Sequence, residues 1–137
     1  MKNKQDNIVK LTDALRSNNT RKENTMNTLL KQLKQNTQVL EDTFRNAGLQ
    51  LISFNFRNFK NSNNGVLLIE VKSIINSADI PENAHIKLNL YDKEDELFIC
   101  EGIKLPKGKF SYDSFEIPLL YGDPFIDANS AKLYFVS

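Results

Sequence analysis

The chain has 137 residues, 40% hydrophobic and 26% charged, with a net charge of +1, which is room for one ordinary domain plus a helical appendage. Residues 1–47 hold nine Lys/Arg against five Asp/Glu, and residues 48–137 hold nine against twelve, which argues against an electrostatic trap for nucleic acid or an anionic membrane. One cysteine excludes an internal disulfide, and the longest aliphatic run, Val66 to Ile69, falls far short of the ~20 residues that span a bilayer.

The opening Met1-Lys2-Asn3-Lys4-Gln5 is charged but leads into no apolar stretch of signal-peptide type, so the expected location is cytoplasmic. Ile8, Leu11 and Leu15 keep the spacing of one helical face, which predicts a short helix over about 6–16. Ser17-Asn18-Asn19 interrupts it with residues of low helix propensity. Thr20-Arg21-Lys22-Glu23 has the form of a capping box, in which hydroxyl and carboxylate reciprocally satisfy free amides. A second stripe then steps by four and three through Met26, Leu30, Leu33, Thr37, Leu40, Phe44 and Ala47, and Gly48 offers the left-handed residue that ends helices. Two arrangements fit: an antiparallel helical hairpin, or one long helix with a skip at Asn18–Asn24. A helix over 20–47 would extend ~42 Å at about 1.5 Å per residue, and so narrow a stripe needs a partner to be stable. Packing on the rest of the chain, self-association as a coiled coil and docking on another protein all satisfy that need.

After Gly48 the apolar period changes to that of strands. Ile52, Phe54 and Phe56 alternate with Ser53, Asn55 and Arg57, predicting a strand with one wet face. Asn61-Ser62-Asn63-Asn64-Gly65 is a turn, followed by strands over Val66 to Ile75 and His85 to Asp92. Lys93-Glu94-Asp95 turns into a return strand over Glu96 to Cys100, where Cys100 is expected to be a buried core thiol. Phe110, Tyr112, Phe115 and Ile117 mark a strand that Pro118 ends or confines to an edge, and Lys132 to Ser137 forms the last. The predicted fold is α+β. An N-terminal α-helical, coiled-coil-like segment (1–47) precedes an antiparallel, Ig-like β-sandwich (48–137), although no Trp or paired Cys marks an antibody-type domain.

The stretch Leu88-Asn89-Leu90-Tyr91-Asp92-Lys93 with its acidic turn, then Gly108 and Phe115-Glu116-Ile117, resembles the FxLYD-type bacterial β-sandwich domain over about Gly65 to Ser137. Leu88 stands where that motif has Phe, and Glu94-Asp95 where it has Asp-Gly. The resemblance implies a sandwich without catalytic residues.

No catalytic, cofactor or metal site is expected. Asp92, Glu94, Asp95 and Glu96 lack the spacing and glycine of a calcium loop, and His85 is the sole histidine, with no second His or nearby Cys for zinc. Nucleotide loops and hydrolase or zinc-protease motifs are absent. The expected function is therefore a non-enzymatic interaction or assembly module. Met26, Leu30, Leu33, Leu40 and Phe44 form a helix seam for a protein partner or for a homo-oligomer. Tyr121 and Phe125, in the loop Tyr121-Gly122-Asp123-Pro124-Phe125, are a second contact of the kind partners grip. The alternative is a small nucleic-acid-associated regulator using the basic helices. It is the weaker reading, because Lys31, Lys34 and Arg45 do not share one helical face.

Overall fold

A computed structural model describes residues 26–59, 64–122 and 124–137. The predicted helix over 6–16 and the capping box at Thr20–Glu23 lie outside the described residues.

The long helix expected over 20–47 is not what the chain forms. Residues 26–35 are helical (α1), the Asn36 amide still donates to the Gln32 carbonyl at 2.9 Å, and the Thr37 hydroxyl donates to the Leu33 carbonyl at 2.7 Å. There the helix stops. Thr37–Val39 (β1) is extended and runs parallel to the last strand, Ser130–Val136 (β9), with Thr37 opposite Ala131 and Val39 opposite Leu133. The connection is tied at both ends. The Ala131 amide donates to the Asn36 carbonyl at 3.2 Å and the Leu40 amide to the Leu133 carbonyl at 2.9 Å. Glu41–Arg45 (α2) adds a single short helix, after which Gly48 takes φ 77°.

The physical reason is a competition that the helix loses. Thr37 and Val39 are β-branched and gain little from helix, whereas β9 without β1 would leave one row of backbone donors and acceptors open. Much of the +4, +3 stripe still faces the core after the break: Leu33 and Phe44 are buried in it and Met26, Leu30 and Ala47 pack against it, while β1 contributes Val39, which is off the stripe.

The other strands are Leu49–Asn58 (β2), Gly65–Ser73 (β3), Ala78–Ile80 (β4), His85–Tyr91 (β5), Leu97–Lys104 (β6), Gly108–Phe110 (β7) and Tyr112–Leu119 (β8). They form a four-stranded sheet β1-β9-β5-β6, a three-stranded sheet β2-β3-β8 and a small pair β4-β7. A β-rich sandwich is therefore present. The expected α+β division and the purely antiparallel pairing are corrected: β1–β9 is parallel, so the larger sheet is mixed.

Between the sheets lies one core. Ile86, Leu88, Leu90, Ala131, Leu133 and Phe135 face Leu67, Ile69, Val71, Phe115, Ile117 and Leu119, and Leu33 and Phe44 belong to the same cluster. Pro118 sits on β8, an edge strand, as its missing N–H requires. The strand β2 departs from the expected alternation. A bulge between Leu51 and Ser53 resets the phase, so Leu49, Leu51, Phe54 and Phe56 turn inward and Ile52 is 46% exposed.

Candidate functional site

The helix-seam residues separate by depth. Leu33 and Phe44 are each 1% exposed and offer a partner almost no surface, while Met26 and Leu30 pack half-buried against the core. Leu40, also half-buried, sits between β1 and α2. The loop pair separates too. Phe125 is buried edge-on against Phe56, with ring centroids 5.9 Å apart, and it lies over Gly65, where any side chain would overlap its ring. Tyr121 is exposed, and its hydroxyl donates to the Glu101 carboxylate.

Cys100 is a correction. It is exposed rather than buried, because Ile99 takes the inward slot opposite Leu90 and alternation turns Cys100 outward opposite Asn89.

The acidic turn is built by its own backbone. Asp92 Oδ1 accepts from the amides of Glu94 at 2.9 Å and Glu96 at 3.0 Å, and Asp95 takes φ 59°, so Asp92 acts as the turn acceptor. Beside it, Asp92, Lys93, Glu94, Phe98 and Asp127 line a depression of about 300 Å³. His85 Nδ1 lies 2.8 Å from the Asn83 carbonyl, to which it donates. Among the described residues no group of three or more His, Cys, Asp or Glu side chains is placed to hold a metal ion. Among them, too, no helix is long and apolar enough to cross a membrane.

A better-formed concavity lies between α2 and the start of β2. It has a volume of about 390 Å³ and is lined by Glu41, Phe44, Arg45, Leu49, Gln50, Leu51 and Ile74. Its floor is the buried pair Phe44 and Leu49, and Leu51 forms a half-buried wall. Ile74 is held at the lip by its amide, which donates to the Gly48 carbonyl at 2.9 Å. Ile74 is 51% exposed and its neighbour Ile75 76%. The polar rim is internally paired, with Arg45 within 3.1 Å of Asp42 and 4.0 Å of Glu41. Phe44 was in reach of sequence reasoning. Ile74 and Ile75 read as the tail of a strand, and only the end of β3 at Ser73 frees them.

No protein family matches the chain, and no curated protein does; the FxLYD resemblance rests on the residues that carry it. A solved structure, "Crystal structure of Campylobacter jejuni cj0090", is similar at 13% identity and a TM-score of 0.41, covering 73% of this chain and 95% of that one.

Proposed function

We propose that the chain is a non-enzymatic protein-interaction module that grips an aliphatic or aromatic side chain of a partner protein in the groove between α2 and β2. The observation that carries this reading is the Ile74 lip: an aliphatic side chain half exposed beside an apolar floor and walled by Leu51. Burying a side chain of that size is worth roughly 1.5–3 kcal/mol, and an apolar anchor in a pocket with a polar rim is how interface hot spots are built. Ile75 extends the apolar surface beyond the groove, which favours a macromolecule over a small ligand. An exposed unpaired thiol at Cys100 suits a reducing, cytoplasmic setting. Among the described residues, Lys34 on α1 is already engaged by Asn55 Oδ1 at 2.8 Å and by the Phe54 ring at 5.5 Å, which weighs against the nucleic-acid alternative.

Peptide display selection against the intact chain tests the reading. Selected peptides should share an apolar anchor and lose tenfold or more in affinity, about 1.4 kcal/mol, on Ile74→Glu, an exposed substitution that leaves the fold intact. Peptides that bind Ile74→Glu as well as the parent would overturn it. Concentration-dependent sedimentation abolished by Ile74→Glu would assign the groove to a second copy of this chain and overturn the choice of a different protein.

A further inference from the structure

The outer face of the sheet β1-β9-β5-β6 has a charge pattern unrelated to the groove. The register places Tyr91 and Asn89 of β5 beside Ser130 and Lys132 of β9, and Lys87 and His85 beside Tyr134 and Val136. On the other side of β5, Asn89, Lys87 and His85 face Cys100, Gly102 and Lys104 of β6. Lys87 is thus directly opposite Tyr134 and Gly102, with Lys132 two residues before Tyr134 and Lys104 two residues after Gly102. The three lysines are successive diagonal neighbours, about 7–8 Å per step, on a line crossing three strands. Of the nine Lys/Arg and twelve Asp/Glu in residues 48–137, these outward positions take three lysines and no carboxylate. The acidic turn starts at Asp92, directly after Tyr91, and so lies at the Lys132 end of the line, past the Asn89–Lys132 pair.

The face is also pre-organised. A Cβ on Gly102 would lie 3.2 Å from Lys87 Cγ, so the Lys87 stem runs over the bare glycine. The Tyr134 hydroxyl donates to Asn89 Oδ1 at 3.3 Å, and Asn89 Nδ2 donates to the Tyr91 hydroxyl at 3.1 Å. Lys132 lies 5.4 Å from the Tyr91 ring centre.

We infer that this face docks an acidic, extended segment of a partner protein, with carboxylates on alternate residues meeting Lys132, Lys87 and Lys104. In an extended chain alternate side chains recur every ~6.6 Å, close to the lysine step. Single-stranded nucleic acid is disfavoured, because its readout needs free aromatic faces for stacking. Here the Tyr91 ring is covered by Lys132, and both phenols are tied to Asn89. The remainder of 48–137, with six cations against twelve acids, would also repel a long polyanion.

The test is an NMR titration of the full chain with an alternating Glu-Thr peptide of about eight residues, which spans ~26 Å. Amide shifts should cluster at Lys87, Gly102, Lys104 and Lys132. Affinity should fall tenfold or more on Lys132→Glu or Lys87→Glu, fall on raising salt as exposed charge pairs do, and be unchanged in Ile74→Glu. The exposed Lys132 variant keeps the test valid if the Lys87 variant unfolds. No saturable shifts, shifts elsewhere, or insensitivity to both charge reversals would overturn the inference. An oligothymidine of similar length binding more tightly than the peptide would overturn it in favour of nucleic acid.

Discussion

Phe44 of α2 packs its ring against Phe135 of β9, centroids 6.3 Å apart and planes inclined at 47°. That contact makes the segment before Gly48 part of the sandwich core, and Phe44→Ala should therefore cost about 3–5 kcal/mol. Denaturant unfolding checks this. An unchanged midpoint accompanied by a loss of particle mass would instead mean that Phe44 serves assembly.

Thr43 links the same two elements by hydrogen bonds. Its hydroxyl donates to the Leu40 carbonyl at 2.6 Å and accepts from the Phe135 amide at 2.9 Å. Thr43→Val keeps the shape but leaves that amide without its partner, an expected loss of about 1–3 kcal/mol. Thr43→Ser keeps the hydroxyl and should lie much closer to the parent. Equal stability of the two variants would refute the bridging role.

Gly65 is the only residue type that fits beneath Phe125. Gly65→Ala should destabilise by about 1–3 kcal/mol through overpacking. Combined with Phe125→Leu, the pair should fall short of the sum of the singles, with a coupling of about 0.5–3 kcal/mol. Strict additivity in a double-mutant cycle would show that the two do not share space.

Cys100 stands outward on β6, so an aromatic disulfide reagent should titrate one thiol per chain without denaturant. Protection until the protein unfolds would return Cys100 to the core.

Much of the β-module was legible because strand alternation and turn residues are local signals: β5 with Ile86, Leu88 and Leu90 inward, or Pro118 on an edge. The misreadings have non-local causes. Thr37, Leu40 and Phe44 satisfy a helical stripe as well as they satisfy strand, turn and short helix, and only pairing with Ala131 and Leu133, far along the chain, decides between them. Ile52 is turned outward by a bulge that leaves no sequence mark; Cys100 is the local exception, since within Leu97-Phe98-Ile99-Cys100 the strand alternation gives the inward slot to Ile99. The groove was invisible, since Ile74 and Leu51 meet only after folding. The lysine diagonal likewise depends on the β9-β5-β6 register.

Leu33 and Phe44, the deepest residues of the 26–47 seam, are buried in the core of this chain, and the helix between them is broken at β1. Backbone NOEs in the intact chain test this break most directly. Parallel cross-strand contacts from Gln38 to Lys132 and from Val39 to Leu133 are expected, with a slowly exchanging Leu40 amide. An unbroken series of helical i, i+3 contacts through residues 33–47 would contradict it.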